Sequence, residues 1–321
     1  GWRKLDEIPP AFAETLAPLI EPDDLIWVHD YHLIPLARDL RNLGIKNRIG
    51  FFLHVPWPAR QVFTTLPGHA LLAQAMFDYD LVGFQTTEFL QAFEEYVLNE
   101  AGGSQPEPGR LKAFGRSVRV GDFPIGIDAP EFAQMLKSAK ARRMRDLMTA
   151  ATVFRNLVVG VDRLDYSKGL EERFLGFERF LADNPDLRRE VLMLQIAPVS
   201  RESVEAYQEI RARLDALSGR INGEFADVDW NPFRYVNKNY RRDELAGIYG
   251  AARVGLVTPL RDGMNLVAKE FVAAQNPEDP GVLILSRFAG AARQLTDALL
   301  VNPNSPEEIA EALKRALSMD K

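Results

Sequence analysis

The sequence predicts an α/β protein built on two parallel sheets. Short apolar runs alternate with helix-like segments along nearly all of its 321 residues, the pattern of repeated βαβ units. The run 254–257 ends at Thr258-Pro259, as a buried strand of a parallel sheet does. The alternation is interrupted near 128–152 by a basic-faced helical stretch and then starts again. A first domain over 1–128, a linker helix over 129–152 and a second domain over 153–321 are therefore expected.

From the N-terminus, residues 9–20 read as a helix that runs into a polar loop, 21–24. Residues 25–28 form a short buried strand ending in His29-Asp30-Tyr31-His32. A helix over 33–43 stops at Gly44. Residues 48–55 are another buried strand, closed by Pro56-Trp57-Pro58. Residues 61–66 and 70–76 are helical, 80–84 a strand and 87–99 a helix. The polar stretch 101–117, rich in Gly and Pro, is expected as an exposed loop. Residues 118–127 return to the sheet, which on this reading is short of strands. A single helix over 131–151 leads to strands at 157–161, 191–196, 233–236, 254–257, 282–285 and 299–301, with helices between them.

Composition narrows the function. Apolar residues make up 46% and charged residues 26% of the chain, as in an ordinary globular protein. The net charge of −6 gives no general attraction for nucleic acid or an anionic membrane, so an anionic ligand needs a local cluster of cations. Cysteine is absent. That excludes disulfides, thiolate nucleophiles and cysteine zinc sites, and it fits a reducing cytoplasm. No apolar run approaches a membrane span, and no signal peptide is visible. The chain opens at Gly1-Trp2 without Met, which implies processing or a start inside a larger protein.

Open α/β sheets bind ligands beyond the carboxyl ends of their strands, so the residues there are the candidates. After 254–257 comes a polar loop carrying Asp262, with Gly263 expected at an unusual φ. A helix over 265–275 follows, with Glu270 one turn in. Its first N–H groups make a ready anion site. An ionised carboxylate there only accepts hydrogen bonds, which suits a hydroxyl-rich ligand. The alternative is a plain strand–helix junction with a capping Asp. After 157–161 comes Asp162-Arg163-Leu164-Asp165-Tyr166-Ser167-Lys168-Gly169. Arg163 and Lys168 put two cations beside a helix N-terminus, a site for a diphosphate or else a solvated loop. Arg201, after 191–196, is a third cation on that rim. In the first sheet Asp30 is a candidate acceptor or base and His54 a donor to sugar hydroxyls. Three of the four histidines lie here, but His29 and His32 converge poorly for a metal. No Gly-x-Gly-x-x-Gly or Walker loop follows a first strand, which argues against a nicotinamide dehydrogenase or a P-loop kinase. A nucleoside diphosphate on the second sheet and a polyol on the first is the reading left.

The segments HDYHLIP, NRIGFFLHVPWP, YDLVGFQT, VDRLDYSKG, QIAPVSR, GRING and PLRDGMNLVAKE, in this order, resemble the trehalose-6-phosphate synthases over nearly the whole chain. The resemblance implies a retaining GT-B glycosyltransferase with two Rossmann-like domains facing across a cleft. It implies transfer of glucose from UDP-glucose to glucose 6-phosphate, with no cofactor and no metal, and it admits a homo-oligomer. On it, Arg163 and Lys168 grip the donor diphosphate and Asp262 holds glucose hydroxyls. Met264, Asn265 and Leu266 meet sugar and phosphate through backbone N–H groups, and Glu270 binds the ribose. Asp30 and His54 lie at the reaction centre, and Arg201 binds the acceptor phosphate. Tyr240 stands where the family often has Phe against the nucleobase, which leaves ADP- and GDP-glucose open. The family starts upstream of Gly1 and ends with a helix beyond Lys321, so a fragment with poor or absent catalysis is expected. A glucosylglycerol-phosphate synthase, another coupling enzyme of the superfamily, or a non-catalytic sugar-nucleotide module are the alternatives.

Overall fold

A computed structural model describes residues 4–153, 155–198 and 205–319. The chain divides between Ile125 and Gly126 into two compact units, each with a core of its own.

The first unit runs α1 (Lys4–Leu16), β1 (Ile26–His29), α2 (Leu36–Asn42), β2 (Ile49–Phe52), α3 (Arg60–Phe63), α4 (His69–Met76), β3 (Leu81–Phe84), α5 (Thr87–Asn99), β4 (Ser104–Glu107), β5 (Arg110–Ala113) and β6 (Arg116–Asp122). Its sheet has the order β1-β2-β3-β6-β5-β4. The first four of these are parallel, and β5 and β4 turn back antiparallel. The stretch 101–117 is thus a pair of strands and not a loop, and with them this chain contributes six strands to the sheet. Turn residues crowd the ends of these four-residue strands and mask Leu111 and Ala113, which are buried on one face.

The strands at 25–28 and 48–55 are not covered on both faces. Val28, Ile49, Phe51, Val82 and Phe84 point into the core beneath the helices. The opposite face carries Trp27, 65% exposed, and Leu81, 40% exposed. With His29 and Phe52 these residues line an open groove of about 930 Å³. The period-2 alternation of a half-buried strand holds in β1, although its apolar residues read as a continuous run.

The second unit runs α6 (Ala129–Met135), α7 (Ala139–Thr152), β7 (Asn156–Val161), α8 (Leu170–Asp183), β8 (Val191–Ile196), α9 (Glu205–Phe225), β9 (Phe233–Val236), α10 (Arg242–Tyr249), β10 (Val254–Val257), α11 (Leu266–Ala273), β11 (Val282–Ser286), β12 (Leu299–Val301) and α12 (Pro306–Ser318). The helix expected over 131–151 is two helices, one starting at a cap on Asp128 and the second at a cap on Ser138 that interrupts the stretch. The Asp128 carboxylate accepts from the Glu131 N–H at 2.8 Å and Ser138 Oγ from the Ala141 N–H at 3.1 Å. Each satisfies an N–H that a helix start leaves unpaired. The sheet order is β12-β11-β10-β7-β8-β9, all parallel. Val158, Met193 and Ile284 pack on one face with α8 and α12, and Val159, Leu194 and Leu285 on the other with α10 and α11. Strand β8 is buried at all six positions. This is the two-sided, apolar sheet that the sequence predicts. Among the described residues no helix is long and apolar enough to cross a membrane.

Candidate active site

Strand β7 comes first in the second sheet yet lies at its centre. The chain builds β8 and β9 on one side of it and β10 to β12 on the other. At that reversal the helices that follow β7 and β10, α8 and α11, pack on opposite faces of the sheet, the arrangement for which open α/β sheets take ligands at the carboxyl ends of their strands. The loops leaving β7 and β10 carry Lys168 and Asp262, and these side chains meet: Lys168 Nζ donates to Asp262 Oδ2 at 2.5 Å. The pair is 17% and 15% exposed, so it keeps some access to solvent.

The loop after β7 is shaped by local chemistry. Gly169 has φ 61°, and a Cβ on it would lie 2.4 Å from the Thr258 carbonyl oxygen. Only glycine allows this approach. The Leu260 N–H donates to the Ser167 carbonyl at 2.9 Å, which ties the two loops together. The Asp165 carboxylate accepts from Ser167 N and Oγ and from Tyr207 Oη. Partial burial raises this carboxyl, but those hydrogen bonds outweigh it and hold Asp165 below the usual carboxylate range.

Beneath the loop lies Arg173, from α8, with no exposed surface. Its guanidinium donates to Asp162 Oδ2 at 2.5 Å, Gln195 Oε1 at 2.9 Å, Thr258 Oγ1 at 3.0 Å and the Lys168 carbonyl at 3.3 Å. It therefore joins the carboxyl ends of β7, β8 and β10 and the turn that presents Lys168. Burial pushes the Asp162 carboxyl up, and the charges of Arg173 and then Lys168 oppose it. Nothing in the sequence pattern singled out Arg173. Its one signal is an arginine on the apolar side of α8, between Leu170, Phe174 and Phe177.

The loop after β10 is pinned from the other side. The Gly290 N–H donates to the Asp262 carbonyl at 3.1 Å and the Ala291 N–H to the Met264 carbonyl at 2.8 Å. A Cβ on Gly290 would lie 2.0 Å from the Gly263 carbonyl oxygen. The unusual φ expected at Gly263 falls instead on Asn265, at φ 79°. The side chain of Asn265 compensates: Oδ1 accepts from the Ala268 N–H and Nδ2 donates to Asp262 Oδ2, each at 3.1 Å. Met264 is buried and Leu266 is 37% exposed. The helix start leaves the Leu266 and Val267 N–H groups without intrahelical acceptors.

Glu270, one turn into α11, accepts from Arg242 Nε at 3.1 Å. Burial raises the Glu270 carboxyl, and the hydrogen bond and charge of Arg242 work against that rise. Sequence reasoning missed Arg242. Its signal is the Arg241-Arg242 pair at the start of α10. Tyr240 lines an apolar cavity of about 170 Å³ with Met144, Met148, Leu194 and Val236. Arg163 is exposed, and among the described residues no acidic side chain pairs with it. Arg201 lies outside the described residues.

In the first unit, Asp30 and His54 follow the neighbouring strands β1 and β2. The Asp30 N–H donates to the Phe52 carbonyl at 2.9 Å. Asp30 takes φ 71° and ψ 163°, a region that belongs almost entirely to glycine. Its Oδ1 is buried and has no hydrogen-bond partner among the described residues. His54 Nε2 and His29 Nδ1 share a hydrogen bond at 2.9 Å. One ring donates and the other accepts. Among the described residues no three His, Asp or Glu side chains cluster as a metal would need.

Of the second-unit candidates, six fall into three groups, while Arg163 and Tyr240 stand apart from them and Arg201 is outside the described residues. Lys168 and Asn265 both donate to Asp262, Met264 and Leu266 flank Asn265 in the chain, and Glu270 is joined to Arg242. A cation with free helix N–H groups offers a seat to phosphate, and a carboxylate oriented by two donors offers acceptors to hydroxyls.

Residues 1–321 match the model of glycosyltransferase family 20. A trehalose-6-phosphate synthase of Sinorhizobium fredii is 51% identical over 308 residues, 96% of this chain and 66% of that protein. One from Klebsiella pneumoniae is 47% identical over 319 residues, 99% of this chain and 67% of that protein. Among solved structures, an α,α-trehalose-phosphate synthase (UDP-forming) from Burkholderia xenovorans in complex with glucose-6-phosphate is 52% identical, with a TM-score of 0.95 over 98% of this chain and 70% of that one. The E. coli trehalose-6-phosphate structure bound with UDP-2-fluoro glucose is 45% identical, with a TM-score of 0.95 over 99% of this chain and 71% of that one. This chain spans about two thirds of the length of the curated relatives. With the family model matched along every residue, the chain belongs to glycosyltransferase family 20.

Proposed function

We propose that this chain carries the donor site of a retaining glycosyltransferase that moves glucose from UDP-glucose to glucose 6-phosphate, giving trehalose 6-phosphate and UDP. The observation that carries the reading is the contact between Lys168 and Asp262 at the reversal of strand order. A phosphate-seeking cation and a hydroxyl-seeking acid meet at one place, as a sugar nucleotide requires. The names of the relatives support the same substrates.

On this reading residues 153–321 form the nucleotide-sugar side and residues 1–128 the acceptor side, with 129–152 between. Arg163 and Lys168 bind the diphosphate, and negative charge grows there as UDP departs, so these cations stabilise the transition state more than the ground state. Asp262 orients the glucose, with the N–H groups of Met264, Asn265 and Leu266 around it. Glu270 receives the ribose, and Tyr240 lies towards the base. Asp30 and His54 serve at the sugar-reaction centre, and Arg201 binds the acceptor phosphate. The incoming hydroxyl attacks from the face that UDP leaves, and the departing phosphate oxygen takes its proton. The protein then supplies position and charge and needs no covalent nucleophile. Arg163 and Lys168 take the part a metal plays elsewhere, so chelators are expected to leave turnover unchanged. The reaction is assigned to the cytoplasm, consistent with a chain free of cysteine.

The experiment is a calorimetric titration with UDP, followed by a glucose-transfer assay offering glucose 6-phosphate or glycerol 3-phosphate. UDP binding that Arg163→Ala abolishes is expected, with any turnover favouring glucose 6-phosphate. Absence of UDP binding would sink the donor site. Binding without transfer is the outcome of a fragment as well as of a sugar-nucleotide module, and transfer at a full rate would overturn the expectation of poor catalysis.

A further inference from the structure

Arg242 belongs to none of the phosphate- or sugar-facing loops, yet three helices converge on it. It is the first residue of α10, where the Glu244 carboxylate accepts from the Arg241 N–H at 2.8 Å and fixes the helix start. Its Nε donates to Glu270 Oε1, on α11, at 3.1 Å. Its Nη1 lies 3.7 Å from Glu131 Oε2, on α6. The face of its guanidinium sits 5.4 Å from the centre of the fully buried Phe132 ring, also on α6. A planar cation stacked on an aromatic ring and forked between two acids has little rotational freedom.

We propose that Arg242 is a positioning residue for the sugar nucleotide: it holds the Glu270 carboxylate in place and ionised, so that this acid presents a fixed acceptor to the ribose hydroxyls. This rests on the donor-site reading above. A carboxylate recognises a vicinal diol only when it is ionised and both lone-pair directions are set. Glu270 is poorly placed to achieve this alone, since its side chain is only 14% exposed. Arg242 is 43% exposed and can be replaced without opening the core.

The groups facing Glu270 are few. From α10 they are Arg242 and the buried Tyr249, whose phenol is held well up by burial and by the charges of Glu270 and Asp162. From α6 Glu131 reaches it only through Arg242. Strands β10 and β11 bring no charged side chain, and Arg293, on the turn packed against α11, is exposed. Lys269 is the neighbour on its own helix. Burial raises the Glu270 carboxyl and Arg242 is the first group opposing it. Removing Arg242 therefore moves protonation of Glu270 to higher pH, and ribose binding should be lost earlier as pH falls.

The test is calorimetric titration of the full chain with UDP across the acid range, for the parent, R242M, R242K, E270Q and the double variant E270Q/R242M. A lost hydrogen bond to an ionised group implies UDP binding about tenfold weaker in R242M at neutral pH. Its acid limb should lie at higher pH than the parent's. R242K, which keeps the charge without the fork, should restore the acid limb but not the full affinity. R242M should cost nothing further in E270Q, and its deficit should vanish with 2′,3′-dideoxy-UDP, which lacks the diol. If R242M binds like the parent with an unmoved acid limb, or weakens E270Q and parent equally, the proposal is overturned while the donor site stands. If the parent itself does not bind UDP, the donor site fails and this role falls with it.

Discussion

The two sheets support their candidate residues in opposite ways. The second sheet is covered on both faces, and its functional loops are tied to each other and to the strands below through Arg173, Gly169 and Gly290. The first sheet is covered on one face, with Trp27 and Leu81 exposed on the other. Asp30 sits there in strained backbone with a buried oxygen that has no partner among the described residues. Two non-glycine site residues have positive φ, Asp30 and Asn265, and only Asn265 answers the strain with its own side chain. Among the described residues, one unit thus over-determines its site, while the other holds a strained residue that no side-chain hydrogen bond repays.

The largest effect should come from breaking the tie under the second site. Arg173→Met leaves Asp162 as a buried carboxylate without its cation, which costs about 3–5 kcal/mol in comparable buried pairs. Urea unfolding should show the midpoint of the second unit falling steeply. Adding Asp162→Asn should recover part of the loss, because the uncompensated charge goes with it. An Arg173→Met midpoint equal to the parent's would mean that the network is not what supports these loops.

Why Arg173 was invisible and Lys168 was not has a physical reason. Lys168, Arg163 and Asp262 stand in loops at the ends of apolar runs, where a charged residue needs a purpose. The strands of the second sheet were legible for the same reason, since two-sided burial writes unbroken apolar runs. Arg173 and Arg242 stand in helices, where a single arginine, even one beside apolar neighbours, reads as a side chain reaching for solvent. Only three-dimensional packing reveals that one is fully buried and the other stacked on Phe132. The hairpin of β4 and β5 was missed because turn residues outnumber its paired ones. In the first sheet, one-sided strands with aromatic residues on the open face imitated buried strands. The strain at Asn265 could not be read at all, since glycine stood two residues earlier as the obvious host for it.

A smaller effect is expected where the second site meets its ligand. Lys168→Met removes the partner of Asp262, leaving its Oδ2 with Asn265 Nδ2 alone. UDP affinity should fall by about 1.5–3 kcal/mol, the usual worth of a hydrogen bond to a charged group. Thermal stability should move much less, because both side chains keep some contact with water and neither is fully buried. If UDP binding were unchanged while stability collapsed, Lys168 would be a structural tether and the contact with Asp262 its whole purpose.

The smallest effect sharpens the contrast most, because it concerns sign. Replacing either strained residue by glycine relieves backbone strain of about 1–3 kcal/mol. Each replacement also gives back about 1 kcal/mol through the greater freedom of glycine in the unfolded chain. Asp30→Gly loses no side-chain hydrogen bond among the described residues and frees a buried, unpartnered oxygen, so it should stabilise the protein by about 1 kcal/mol. Asn265→Gly loses the cap on Ala268 and the bond to Asp262, which together offset the relief, so it should be neutral or destabilising by about 1 kcal/mol. Calorimetric melting of the two variants reads the difference directly. An Asp30→Gly variant that melts below the parent would show that the first unit does compensate its strain, and the contrast between the two sites would go with it.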